Sequence, residues 1–304
     1  MAISRAQLVK ELEPGLNALF GLEYKRYENQ HAEIYTTESS DRAFEEEVML
    51  SGFANAQVKV EGSGVSFDQA QETYTARYTH DTIALAFAIT EEAIEDNLYD
   101  RIASRYTKAL ARSMSNAKQV KAVTPLNNGL SSIATFNAGD GVSLFSTNHT
   151  TVSGTAVKNT LTTQADLNET SLEQGLIDIA GMTDERGLRV AARGVKMIIP
   201  SANQFNAERL MKSQGRTGTA DNDINAVASM GMIPQGYRVN NFLTDTDSWY
   251  IITDVPNGMK LFQRAALKTA MEGDFDTGNV RYKARERYSF GVSDYRGIFG
   301  VEGA

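Results

Sequence analysis

The chain has no cysteine, which excludes disulfides, thiolate metal centres and cysteine nucleophiles. Its three histidines, His31, His80 and His149, are too scattered for a histidine-based metal cluster. Long apolar runs are missing too: the longest, Ile83 to Ile89, falls far short of the ~20 residues a membrane span requires. Glu11 and Glu13 occupy the stretch where a signal peptide needs an apolar core, so the chain reads as cytoplasmic when made, with no membrane partner. Positive charge is in deficit. Lys and Arg number 30 against 38 Asp and Glu, giving a net charge of -8 at pH 7 and a pI near 5.1. With no basic tail, the surface as a whole repels phosphate, and sequence-reading nucleic-acid binding is not expected. Nor is there a Walker loop, a His-Glu-x-x-His pair or a Gly-x-Ser-x-Gly elbow, and no cofactor is expected. Strength must come from packing and association.

What is present is 304 residues, 41% of them hydrophobic, enough for one large or two modest domains. The organising stretch runs from Thr82 to Pro125. It begins as a strand-like alternation of Ile83, Leu85, Phe87 and Ile89, then turns at Thr90-Glu91-Glu92 into a helix. Thr90 is a cap, the acidic pair suits the positive end of the helix dipole, and Pro125 marks the stop. Ile94, Leu98, Ile102, Tyr106, Ala109, Leu110, Ser113, Ala117 and Val120 predict one buried seam along a helix of roughly 30 residues, about 45 Å long. Arg101, Arg105, Lys108 and Arg112 form a basic stripe about a quarter turn away. Such a row costs the helix a few tenths of a kcal/mol per pair. It is either a solvated face or a contact for carboxylates from Glu45, Glu46 and Glu47, a neighbouring subunit or an acidic partner.

Elsewhere the patterns are shorter. Ile3 to Phe20 is helical but interrupted by Pro14 and Gly15, which predicts two short helices or one kinked helix. Gly21 to Glu38 reads as an irregular arm with aromatics laid on other surfaces, and the acidic run at Glu45 as a turn of helix or loop. Gln57 to His80 predicts a long, mostly polar hairpin with its turn at Glu61-Gly62-Ser63-Gly64. Leu126 to Thr163 has loop and short-strand composition. Helices are expected over Leu167–Met182 and Asn203–Lys212, a buried strand at Val195–Ile199, and two strands around Thr244–Asp247. Further strands are expected at Met259–Arg264, Lys268–Met271 and Val280–Val292, the last with cations on alternate positions. These carboxy-terminal strands are expected to pack on the long helix, making the middle of the chain an insertion. Asp221 to Asn225 half-matches a calcium loop but lacks its glycine and closing glutamate.

In this order the parts resemble a tailed-bacteriophage major capsid protein of the HK97 type. The wording is closest from Tyr78 to Asp96, at Leu144 to His149, and at Asp184-Glu185-Arg186-Gly187 followed by Val195 to Pro200. The resemblance implies an α+β fold: residues 1–50 as N-terminal arm, 51–82 as extended E-loop, 83–125 with 265–304 as a P-domain of spine helix and antiparallel strands, and 126–264 as an A-domain of mixed sheet with flanking helices. It implies hexamers and pentamers of an icosahedral virion shell, assembled in the host cytoplasm and enclosing double-stranded DNA without sequence specificity. A portal protein and a separate scaffolding protein are implied partners, and a decoration protein a further one. Inter-subunit contacts would come from Glu45, Glu46, Glu47, Lys59, Phe67, Tyr74, Arg77 and Tyr78, and from the stripe Arg101, Arg105, Lys108 and Arg112. Some family members crosslink such a hairpin lysine to a P-domain asparagine, here Lys59 and Asn279. Two other readings are an encapsulin-like cargo shell on the same fold and an α/β enzyme domain with a site near Ser146 and His149.

Overall fold

The computed structural model describes residues 5–90, 92–93, 99–131, 138–215, 223–274 and 277–304, with backbone only at 5–12 and 99–102. The amino-terminal third runs α1 (Arg5–Arg26), a 3₁₀ turn (Gln30–Glu33), β1 (Thr36–Ser39), β2 (Phe44–Leu50), β3 (Glu72–Thr79), β4 (Asp81–Ile89) and α2 (Tyr99–Asn127). The middle contributes β5 (His149–Thr150), β6 (Ala156–Val157), α3 (Glu169–Ala180), β7 (Gly194–Ile199), α4 (Gln204–Lys212), α5 (Ala226–Met230), β8 (Tyr237–Val239) and β9 (Trp249–Thr253). The chain closes with β10 (Met259–Gly273), β11 (Val280–Val292) and β12 (Ile298–Val301). Among the described residues no helix is long and apolar enough to cross a membrane.

The alternation in β11 decides the first sheet, whose order is β1-β10-β11-β4. Val280, Tyr282, Ala284, Glu286 and Tyr288 are buried on one face, while Arg281, Lys283 and Arg285 stand exposed on the other. The buried face receives two helices. Leu16 and Phe20 of α1, Leu110, Ala111 and Met114 of α2, and Tyr282 of β11 share one core. The carboxy-terminal strands therefore do pack on the long helix, as expected.

Several expectations are corrected here. Of the two forms expected for the amino-terminal segment, two short helices are not found: one helix passes through Pro14, because packing on α2 and β10 outweighs the one backbone bond proline removes. The arm that follows is not irregular: it folds as a 3₁₀ turn and then as β1, parallel to β10 with Thr36 opposite Lys260. Met259 to Gly273 is one strand rather than two, kinked by a bulge between Gln263 and Lys268. Pro125 sits inside the last turn of α2 instead of stopping it.

The seam of α2 is also displaced. Its buried face is Ala103, Thr107, Leu110, Met114, Lys118 and Ala122, one residue on from the expected series and so rotated by about 100°. Tyr106 and Val120 are 52% and 48% exposed, and of the expected series with described side chains only Leu110 is fully buried. The cause is polar residues turned inward with partners: Lys118 pairs with Glu286 at 3.2 Å, and Gln119 accepts the His31 amide at 2.9 Å. Ile94, Leu98 and Ile102 lie outside the described side chains.

His31 makes this junction acid-sensitive. Burial, with the nearby Lys118 ammonium, lowers its pKa from 6.5 to about 4. Between these values the unfolded chain binds more protons, so stability is full above pH 6.5 and falls as pH drops towards 4, by about 3 kcal/mol at most. Chemical denaturation at pH 7 and pH 4.5 is expected to show this loss, and His31→Phe to reduce it.

A second sheet, ordered β12-β9-β7-β8, carries the larger core. β7 is buried along Met197-Ile198-Ile199 and lies between antiparallel β9 and parallel β8, so the two strands around Thr244–Asp247 are not a hairpin. α3 covers the sheet: Gly175 leaves room for the rings of Trp249 and Phe299, and Asn168 and Ser171 form a capping box at its start. β12 pairs with β9, so Ile298 to Val301 belong to this sheet and not to the first.

The hairpin pairs β2 with β3, Phe44 opposite Thr79. The acidic run is thus a strand, not a turn of helix, and the hairpin begins before residue 51. Residues 51–71 form no strand, although the turn is where expected, with Ser63 N donating to Val60 O at 3.1 Å and Gly62 at φ +78°.

Candidate assembly surface

Strand β3 crosses the face of the first sheet opposite to the helices. Tyr78 lies over Gly291, meets the Phe262 ring edge-on at 4.7 Å, and shares a 2.5 Å hydrogen bond with Ser293 Oγ. His80 Nδ1 and Ser289 Oγ are 2.9 Å apart on the same face. A buried ammonium clamps the hairpin base: Lys260 Nζ reaches Glu47 at 2.5 Å and Glu38 at 3.1 Å, and Ser293 Oγ donates to Glu47. Burial alone would lower the Lys260 pKa, but the two carboxylates outweigh it and hold the group above its ordinary value.

Several residues expected at subunit contacts are therefore engaged within the chain. Glu47 and Tyr78 belong to the clamp, and Tyr74 is partly buried against Tyr295. Glu45 accepts from Ser40 Oγ at 2.7 Å. Glu46 and Arg77 face each other at 3.7 Å on the surface, Arg77 also lying 4.1 Å over the Phe44 ring. Among the described residues, none of the three carboxylates pairs with Arg105, Lys108 or Arg112.

What remains open is the tip. Phe67 and Val58 are 93% and 94% exposed, and Lys59, Phe53, Val60 and Val65 are also exposed. Arg186 gives the tip one tether, donating to Gln69 O and lying 3.8 Å from Asp68. Asn279, at the β10–β11 turn, accepts from Asp274 N through its own carbonyl at 2.8 Å.

Two cation rows flank this layered domain. On the helix side Arg105, Lys108 and Arg112 are exposed, and the Arg101 side chain lies outside the described residues. On the sheet side Lys283 and Arg285 follow Arg281, which pairs with Asp274, and Lys268 stands opposite Arg285. Ala84, Ala86 and Ala88 of β4 border this row on one side, and Ala270 and Glu272 of β10 stand opposite Lys283 and Arg281 on the other. Among the described residues no carboxylate pairs with Arg105, Lys108, Arg112, Lys283 or Arg285. The alternation along β11 could have marked the second row as a surface. The Lys260 clamp had no comparable signal, since topology alone joins residues 38, 47, 260 and 293.

Ser146 and His149 do not form a base and nucleophile. His149 is fully buried, stacked on Tyr295 at 3.8 Å, with Nδ1 2.5 Å from Asp140 and Nε2 3.1 Å from Asn159. Ser146 Oγ accepts from the Asn148 amide. Asn159 Nδ2 donates to the carbonyls of Leu144, Tyr295 and Ile298, which turns its Oδ1 towards the imidazole. A groove of about 960 Å³ between α2 and β3 is lined by Arg77, Asp81, Val120 and Lys121, and neither Ser146 nor His149 reaches it. In the calcium-loop half-match, Asp221 and Asn222 lie outside the described residues, and Asn225 is spent capping α5.

A family model described as phage capsid protein matches residues 73–301. No curated protein sequence matches. Among solved structures the fold is similar to the procapsid of bacteriophage JBD30, at 13% identity and TM-score 0.55, over 99% of this chain and 77% of that one. It is also similar to the virus-like particle from Pyrococcus furiosus, at 11% identity and TM-score 0.53, over 95% and 98% of the two chains. The capsid of Myoviridae phage XM1 matches at 10% identity and TM-score 0.53, over 89% of each chain.

Proposed function

The chain belongs to the phage capsid protein family, with an HK97-like α+β fold, and from that premise we propose how its surfaces build a shell. It is a structural subunit of the virion head, not an enzyme. Copies assemble into hexamers and pentamers of an icosahedral shell that encloses double-stranded DNA. Residues 1–43 serve as the arm, 81–127 with 259–292 as the peripheral domain and 128–258 with 293–304 as the axial domain, while the hairpin, its strands starting at Phe44, reaches from one copy to the next. A portal, a separate scaffolding protein and a decoration protein on the outer surface complete the set of partners.

The observation that carries this reading is the uncovered hairpin. An isolated two-stranded ribbon is marginal in water, and this one ends in exposed apolar side chains that its own chain leaves bare. Neighbours in a shell one subunit thick are related by axes roughly normal to the shell, so a hairpin on the sheet side meets the sheet side of the next copy. There Lys283 and Arg285 complement the exposed Glu61 and Glu72 of the incoming hairpin.

Negative-stain electron microscopy of the expressed chain is expected to show uniform shells. A small oligomer under all conditions would refute the reading. Lys283→Glu with Arg285→Glu is expected to leave a folded subunit, by circular dichroism, and at least tenfold fewer particles. The Lys59–Asn279 crosslink predicts ladders on denaturing gels of shells, and clean monomers would remove it. The other reading on the same fold is an encapsulin-like shell around protein cargo. Nucleic acid rather than a protein in purified particles decides against it.

A further inference from the structure

The cation row on the helix side has no occupant in the scheme above. α2 carries Arg101, Arg105, Lys108, Arg112, Lys118 and Lys121 against a single acid, Asp100, in a chain whose net charge is -8. Lys118 and Lys121 are spent inside the subunit on Glu286 and Asp81. Arg105, Lys108 and Arg112 project from one stripe, about 10 Å along the axis at 1.5 Å per residue, without a carboxylate among the described residues. Repulsion within such a row weakens the helix unless an anion meets it.

The layering assigns that anion a side. α1 and α2 pack on the face of β11 that bears Tyr282, Glu286 and Tyr288, while the hairpin crosses the face that bears Ser289 and Gly291. A neighbour's hairpin therefore stays on the sheet side, and its carboxylates satisfy the cations there. The helix side is the opposite surface of the shell. Of the two surfaces, the one bearing Glu46, Glu61, Asp68 and Glu72 repels packaged DNA, and the one bearing the unanswered stripe attracts it.

We propose, on the strength of the capsid reading, that the exposed face of α2 lines the shell interior and that Arg105, Lys108 and Arg112 bind phosphates of the enclosed double-stranded DNA without sequence preference. The chemistry suits the task. The stripe offers charge and no pocket or groove-reading element, so it contacts backbone phosphate and leaves bases unread. A few contacts per subunit give weak, salt-sensitive attachment: three neutralised phosphates predict a log-log salt slope of about -2.7. Repeated over a shell, that holds the outer DNA layer without trapping it.

The test uses the full chain and a fluorescein-labelled 30-base-pair duplex of mixed sequence, read by anisotropy between about 20 and 150 mM salt, on unassembled subunits. The unaltered chain is expected to bind with the slope above, and Arg105→Gln/Lys108→Gln/Arg112→Gln to lose at least tenfold in affinity at the lowest salt. Lys212→Gln/Arg238→Gln, whose cations are paired within the subunit with Glu208 and Glu33, serves as the control and is expected to bind as the parent does. Shells of the triple variant should still form and carry less DNA, by the ratio of absorbance at 260 and 280 nm. Undiminished duplex binding by the triple variant overturns the proposal. So does failure of a folded triple variant to form shells where the parent forms them, which makes the stripe a subunit or scaffold contact. If the parent forms no shells, the capsid reading itself fails and the proposal with it.

Discussion

Arg296→Met is expected to lower the unfolding free energy by about 3–5 kcal/mol and the Tm by roughly 10 °C. Arg296 is 2% exposed, and its guanidinium meets Glu185 at 2.7 Å, Asp294 at 3.2 Å and the Thr183 carbonyl at 2.8 Å. It also lies 4.3 Å over the Tyr295 ring. Thr183 and Glu185 precede β7, whereas Asp294 and Arg296 lead into β12, so one cation joins two segments remote in sequence. Burial pushes the Asp294 pKa up and Arg296 holds it down, with burial prevailing, so removing the guanidinium leaves carboxylates that have lost their main counter-charge. Methionine fills most of the volume and isolates the electrostatic part of the loss.

Two companion variants separate that account from simple loss of packing. Arg296→Lys keeps the charge but cannot span three acceptors, so an intermediate loss is expected. Glu185→Leu combined with Arg296→Met removes a charge from each side and is expected to be less destabilised than Arg296→Met alone. If the double variant is worse than the single one, the charge account fails. Thermal melts by circular dichroism at pH 7 suffice.

How far the sequence could be read follows from where each partner comes from. β11 was legible because alternate burial from Val280 to Tyr288 is written in adjacent residues. The buried strand at 194–199, the helix at 169–180 and the one at 204–212 were legible for the same local reason. What misled were positions decided by distant residues. Lys118 and Gln119 look like surface residues until Glu286 and His31 meet them, and that displaced the seam of α2 by one position. The acidic strand β2 reads as a solvated run until β3 pairs with it and Lys260 neutralises Glu47. Of the candidate site, the exposed tip and the α2 stripe were visible in outline. Which contact residues are used within the subunit was not, because that depends on which face of the sheet the hairpin crosses.

Phe145→Ala is expected to cost about 3–5 kcal/mol, the usual range for emptying a buried aromatic site. The ring is 1% exposed, 5.5 Å from that of Tyr250, and held between two glycines. Gly129, just past α2, and Gly300, in β12, both come so close that a Cβ on either would overlap the ring. The backbone fixes the arrangement, since Phe145 N donates to Gly129 O at 2.8 Å and Gly300 N to Asn159 O at 3.0 Å. The site can therefore neither collapse nor expand cheaply. Gly300→Ala should itself cost about 1–3 kcal/mol through overpacking. The two changes are opposite in volume at one point of contact, so they should not add. Phe145→Leu with Gly300→Ala is expected to recover at least 1 kcal/mol relative to the sum of the single variants. Strict additivity in urea melts would mean that the ring and β12 do not share this contact. The same contact ties the end of α2 to the last strand of the second sheet. A loss there should therefore appear as amide exchange in both Ile298–Val301 and the carboxy-terminal turn of α2, with the β2–β3 hairpin unchanged.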